Sequence, residues 1–263
     1  MKTLNLEKLK EKDLFVFDLD GTLIETKSPM GGEMSKLMTQ LLQVKKVAII
    51  GGGKYEIFQE LFIRKLKCPK ELLKKLYLFP TTATSFYKYN NGWKKVYAKL
   101  LTTSETTKIR KSFKEVFKAI GYQHPKKTYG PIIENRGTQV SFSIYGQDLV
   151  RVLGDKGVRM KKKWLKDNFK TKMKIARLMA KKLPNMEVHA AGFTTIDVTQ
   201  KGINKAYGIH QIQKQLKIPI SKMFFIGDAI FKGGNDYAVV KTGVDYLPVN
   251  GPKDTAKIIR SIV

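Results

Sequence analysis

One cysteine, Cys68, stands among 263 residues, so no disulfide can form within this chain. That excludes the cross-linked frameworks of small secreted domains and points to a reducing compartment. Cys68 itself reads as a half-buried thiol at a helix end. No apolar run approaches the ~20 residues of a membrane-spanning helix. The charged stretch Met1–Lys12 lacks the apolar centre of a signal peptide. A soluble, cytoplasmic protein with no membrane partner is the expectation. Acidic residues are also scarce, 22 Asp and Glu against 50 Lys and Arg, for a net charge of +28. Such a field draws in polyanions and phosphorylated small molecules. The lysines are spread along helix faces, with no finger motif and no interleaving of aromatic and basic residues. Nucleic acid is therefore expected to associate only non-specifically.

With 42% hydrophobic residues, 14 Phe and 11 Tyr, the chain is globular and long enough for one large core or two modest ones. Its organising stretch is Phe15-Val16-Phe17-Asp18-Leu19-Asp20-Gly21-Thr22-Leu23. Leu14 to Phe17 reads as a buried parallel strand, and Gly21-Thr22 turns the chain away behind it. Asp18 and Asp20 are two apart, so a regular strand would aim them at opposite faces. A bend after Asp18 is needed to turn both to one point. Open α/β sheets place their ligands at the carboxyl ends of such strands.

Elsewhere the pattern alternates strands and helices. Glu33–Gln43 is a helix with Met34, Leu37, Met38 and Leu41 on one face. Val47–Ile50 is a strand running into Gly51-Gly52-Gly53, a turn before a helix start that can offer backbone N–H groups to a phosphate. Leu76–Phe79 reads as a strand, and Tyr87–Tyr97 as a hairpin around Asn90-Asn91-Gly92. The middle differs. Ser104 reads as the cap of a helix with Ile109, Phe113, Val116, Phe117 and Ile120 inward. Val140–Ile144 alternates like a half-exposed strand. Met160–Lys182 reads as a basic helix burying Leu165, Phe169, Ala176 and Met179, with Lys161-Lys162-Lys163 solvated. Met186–Ala190 and Thr194–Val198 add strands. After Gly202-Ile203-Asn204-Lys205 opens a helix, Met223–Ile226 delivers Gly227-Asp228, followed by Gly233-Gly234-Asn235-Asp236. Val244–Pro248 is a strand, and Pro252 starts the last helix. The fold class expected is α/β, a Rossmann-like parallel-sheet core in residues 1–96 and 201–263, with an α+β cap inserted at 97–200.

The string D-x-D-G-T at Asp18–Thr22 resembles motif one of the haloacid dehalogenase superfamily of phosphotransferases. G-I-N-K-A, with Lys205, resembles its third motif, and G-D…G-G-N-D, with Asp228 and Asp236, its fourth. The resemblance implies that Asp18 attacks phosphorus and that Asp20 is general acid and base. Lys205 holds the phosphate, and Mg²⁺ sits on Asp18, the Asp20 main chain and Asp228, with Asp236 supporting. The chemistry is coherent, because a carboxylate nucleophile repels a phosphate dianion unless a divalent cation and a lysine offset the charge. Oxygen ligands suit Mg²⁺.

A narrower likeness is to eukaryotic phosphomannomutases, carried by Val47–Leu61, Ile133–Arg136 with Val140–Gly146, Thr195-Ile196-Asp197 and Gly227–Asp236. It implies the larger α/β cap class, with Arg136, Thr195 and Asp197 facing substrate. Two departures stand out. Gly53 occupies the place where motif two supplies a Ser or Thr, so the backbone of Gly52 and Gly53 must meet the phosphate, with Thr22 a candidate hydroxyl. Gln147 stands where a further cap Arg is expected, with Thr128 near a third, and neither binds phosphate bidentately as Arg does. The expected activity is Mg²⁺-dependent hydrolysis of a small-molecule phosphate ester, a sugar phosphate, through an aspartyl-phosphate. Sugar-phosphate mutase activity is the alternative, and an inactive polyanion-binding protein on the same fold comes third.

Overall fold

A computed structural model describes residues 6–263. Met1–Asn5, the head of the charged first stretch, lie outside the described residues. In chain order the strands are β1 (Leu14–Asp18), β2 (Lys46–Ile50), β3 (Leu76–Phe79), β4 (Ser85–Tyr89), β5 (Trp93–Ala98), β6 (Ile133–Asn135), β7 (Val140–Ser143), β8 (Met186–His189), β9 (Thr195–Gln200), β10 (Met223–Gly227) and β11 (Asp245–Pro248). The chain falls into two compact units, one of residues up to Ala98 with Asn204–Val263, the other of Lys99–Ile203.

In the first unit a seven-stranded sheet runs β11-β10-β1-β2-β3-β4-β5. β1 lies in its interior, parallel to β10 on one side and β2 on the other. All five residues of β1 are buried because both faces of the sheet are covered. Phe15 and Phe17 point to a cluster with Met38, Leu41 and Ile259, from the Gly32–Val44 and Pro252–Arg260 helices. Leu14 and Val16 point the other way, to Ile209 and Ile212 of the Lys205–Leu216 helix. The hairpin β4–β5 extends the sheet antiparallel at its edge. The parallel strands β10, β1 and β2 end together, and that common edge holds Asp18, Gly51 and Asp228.

The second unit is an antiparallel sheet, β6-β7-β9-β8, packed on the Thr103–Ala119 and Asp155–Lys182 helices. Here several expectations change. The first helix is capped by Thr102, not Ser104: the Thr102 hydroxyl accepts from the Glu105 N–H while the Glu105 carboxylate accepts from the Thr102 N–H. This reciprocal box satisfies two otherwise orphan donors, which Ser104 could not do from inside the first turn. β7 is buried on both faces. Its polar side is taken up by hydrogen bonds, Ser141 to Asp197 and Ser143 to the Gly146 carbonyl.

The long helix begins at Asp155 and departs from helical geometry at Asn168 (φ −128°, ψ 21°), whose amide donates to the Trp164 carbonyl. The buried stripe is Gly157, Lys161, Lys172, Ile175, Ala176 and Met179. Lys161 is therefore buried where a solvated lysine was expected, and Phe169 is exposed where a core residue was expected. Ala176 and Met179 are buried as the apolar period indicated, while lysines occupy two further positions of the inward stripe that a reading of apolar residues passes over.

Candidate active site

β1 ends in Asp18, and the chain bends at once. The Gly21 N–H donates to the Ile24 carbonyl at 2.7 Å, and Gly21 takes φ +83°. A Cβ at Gly21 would also run into the Asp228 carboxylate, so this position needs glycine for space as well as for backbone conformation. Past the bend the two carboxylates have different surroundings. Asp18 is buried at the end of the strand, whereas the half-exposed Asp20 accepts the Lys27 N–H at 2.6 Å.

The structure gathers Asp18, Asp228 and Asp236, each with an oxygen within 4.8 Å of the others. Asp228 follows β10, and Asp236 is returned beneath it by the turn Gly233-Gly234, where it accepts the Ala229 N–H at 3.2 Å. Lys205 reaches in from the first turn of its helix, which Asn204 caps through the Tyr207 N–H. Its Nζ donates to Asp18 Oδ1, lies 3.0 Å from Asp236 Oδ1 and donates to the Ile50 carbonyl at 3.0 Å.

The electrostatics follow from this crowding. Burial would drive the proton from Lys205, but Asp18 and then Asp236 more than offset it and hold the ammonium well above its ordinary range. Asp18 is pushed up by burial, with the charges of Asp236 and Asp228 adding to it and Lys205 opposing. Asp228, at the more open side of the cluster, is pushed up to about 6 by partial desolvation and then by Asp236, with a contribution from Asp20. Three carboxylates against one lysine leave an excess of negative charge, and three hard oxygen donors at this spacing fit a divalent cation such as Mg²⁺.

Residues 15–242 match the family model of the haloacid dehalogenase-like hydrolases. The chain belongs to that family. A phosphomannomutase of Encephalitozoon cuniculi (strain GB-M1) is 27% identical over 247 residues, 93% of this chain and 91% of that protein. Among solved structures, the N-terminally truncated, IMP-bound IMP-nucleotidase of Plasmodium falciparum superposes with a TM-score of 0.71 at 18% identity, over 98% of this chain and 71% of that one. The trehalose-6-phosphate phosphatase of Aspergillus fumigatus gives 0.53 at 17%, over 98% and 97%. These two show the shared fold.

Within this hydrolase, the glycine loop after β2 is braced in a way the sequence did not signal. The carbonyls of Gly51 and Gly53 accept the N–H groups of Thr82 and Thr81, each at 2.9 Å. Thr81, Thr82 and Ala83 all take positive φ, between 50° and 61°. Consecutive left-handed residues other than glycine, two of them β-branched, are costly, at about 1–3 kcal/mol each, and such strain gathers beside functional loops. No glycine or asparagine in Pro80–Ala83 announces it. The hydroxyl of Thr22 is wholly buried and, among the described residues, has no hydrogen-bond partner.

The remaining predicted residues belong to the second unit. Thr195 and Asp197 lie two apart on β9 and share one face. Ser141 faces Asp197 across the β7–β9 pairing and hydrogen-bonds to it. Arg136 meets Glu134 Oε2 at 2.8 Å and Gln147 Oε1 at 3.0 Å. Sequence reading missed Ser141 and Glu134 as the partners of Asp197 and Arg136. Strand register, once β7 and β9 are paired, would have found the first.

Proposed function

We propose that this protein is a Mg²⁺-dependent phosphomonoesterase acting on a sugar phosphate through an aspartyl-phosphate. The observation that supports it most is Lys205 bound to Asp18 at the carboxyl edge of a buried sheet, with Asp228 and Asp236 beside them. Asp18 Oδ1 is engaged by Lys205, which leaves Oδ2 to attack phosphorus. The new Asp18 O–P bond forms as the ester P–O bond breaks, and Asp20 gives the leaving alkoxide its proton. Asp20 then takes a proton from the water that hydrolyses the acyl phosphate, releasing inorganic phosphate and restoring Asp18. Lys205 carries fixed positive charge to the developing phosphoryl oxygens. Asp18, the Asp20 main chain, Asp228 and Asp236 would hold Mg²⁺, which supplies charge neutralisation for the incoming dianion. The N–H groups of Gly52 and Gly53 meet the phosphate in place of a motif-two hydroxyl. Residues 97–200 act as the cap, in which Arg136, Thr195 and Asp197 contact the sugar.

The likeness to phosphomannomutases favours a second reading, reversible transfer between two positions of one sugar. A mutase must hold a bisphosphorylated intermediate while it turns over, and this needs strong anion donors in the cap. Arg136 is already matched to the Glu134 carboxylate, and Gln147 is neutral. Hydrolysis is therefore ranked first. The test is incubation of mannose 1-phosphate and glucose 1-phosphate with Mg²⁺, with and without the sugar bisphosphate, following free phosphate and the 6-phosphate isomer. Net phosphate release without bisphosphate is expected. Efficient isomerisation with little free phosphate would replace this reading by the mutase.

A further inference from the structure

The excess charge is not evenly spread. The Asp155–Lys182 helix carries twelve Lys and Arg against two Asp, a net +10 of the chain's +28 in 28 of its 263 residues. Part of that charge is oriented. Lys162, Lys166, Phe169, Lys170, Met173 and Arg177 recur at steps of three and four, share one side of the helix and are all exposed. Phe169 is 56% exposed and Met173 39%, and neither belongs to the apolar core of its unit. Ile175 and Met179, on the other side, are buried in that core. Phe169 and Met173, one turn apart, set an aromatic ring and a thioether side by side on the outside of the helix, within that line of cations.

We propose that this face docks on the surface of an anionic phospholipid bilayer. Lysines and arginines near such a surface are drawn to its headgroups. A basic patch alone, or an apolar insertion alone, binds marginally, and the two together give stable peripheral attachment. Here Phe169 and Met173, one turn apart, are the insertion, and Lys162, Lys166, Lys170 and Arg177 flank them. Beyond the break at Asn168, the line from Phe169 to Arg177 runs about 12 Å, at about 1.5 Å per residue. Single-stranded nucleic acid is the less favoured partner, because stacking platforms present successive rings and this face has one. No described helix is long and apolar enough to cross a membrane, so attachment would be to the surface.

The experiment is flotation of the full chain with vesicles of phosphatidylcholine alone, or with about a third phosphatidylserine, at low and at physiological salt. Binding to the anionic vesicles only, weakened by salt, is expected. Lys166→Glu with Lys170→Glu should weaken it about tenfold or more. Phe169→Ser with Met173→Ser should weaken it about fivefold, with phosphate release unchanged in both. Failure to float with anionic vesicles at low salt would overturn the proposal, as would equal binding to neutral ones. So would wild-type affinity in either variant. Tighter binding to an RNA oligonucleotide, lost in the same variants, would overturn it in favour of nucleic acid.

Discussion

At the end of β1 three carboxylates crowd around Lys205, whereas in the second unit Asp197 and Arg136 each meet a neutral or oppositely charged side chain. There Asp197 takes the Ser141 hydroxyl, and Arg136 sits between Glu134 and Gln147. Lys172 donates to the carbonyls of Ala191 and Gly192, at 3.1 and 2.5 Å. Burial pulls Lys172 down to about 8 while the Asp197 charge opposes the fall. The first site is out of balance and holds room for added positive charge. In the second the charged groups have partners, while the buried hydroxyls of Thr194 and Thr199 have none among the described residues. Unbalanced buried charge is costly to the fold and useful to chemistry, while matched polar groups suit recognition.

The sharpest way to break this contrast is at its centre. Asp18→Asn removes the nucleophile and should abolish phosphate release while the protein still folds, as judged by circular dichroism. Beryllium fluoride should trap on the wild type and not on the variant. Substantial turnover by Asp18→Asn would sink the assignment.

Next comes Lys205→Ala, which should lower the rate about a hundredfold or more. It also strips two buried carboxylates of their cation, so destabilisation by about 3–5 kcal/mol is expected in the absence of metal. Denaturant melts and steady-state kinetics measured side by side would check both. Near-wild-type values in either would mean that the imbalance is not felt.

A smaller effect tests the imbalance by pH. Asp228 is held up at about 6 in the fold, above its ordinary carboxylate value, so between the two the folded state keeps a proton the unfolded chain has lost. Its contribution is thus fully present below the ordinary value and disappears as pH rises through about 6. In chelator, the melting temperature of wild type relative to Asp228→Asn should fall across that window, and Mg²⁺ should remove the difference. A flat difference would show that Asp228 feels no excess charge.

The mildest change belongs to the second unit. Arg136→Ala leaves Glu134 half-matched and should cost stability of about 1–3 kcal/mol, with only a several-fold loss in hydrolysis of a sugar monophosphate. A collapse of activity comparable to Lys205→Ala would make Arg136 a principal phosphate donor and would favour the mutase.

What could be read in advance divides along the same line. The strand before Asp18, the helices around Met38 and Ile209 and the strand before Asp228 were legible because both faces of a parallel sheet demand apolar residues, and such runs stand out. The second unit was harder. Ala176 and Met179 are buried as the period suggested, but Lys161 and Lys172 also sit in the inward stripe and Phe169 points out, which hydrophobic period alone does not signal. Thr102 lost the helix cap to Ser104 on paper, although Glu105 three residues on was the signal that decides between them.

By itself, the sequence determined that an aspartate ends a central strand, that a lysine and two more aspartates follow on later elements, and that glycine must turn the chain at Gly21. These are local consequences of apolar runs and backbone freedom. Only the tertiary structure decided which carboxylates meet. Asp20, two residues from Asp18, accepts the Lys27 N–H, while Asp236, more than two hundred residues along the chain from Asp18, lies 3.0 Å from the Lys205 that also binds Asp18. The left-handed brace of Thr81–Ala83 against the glycine loop was decided there too. Distances between side chains depend on how the parallel strands register and where loops return, and no spacing along the chain encodes that.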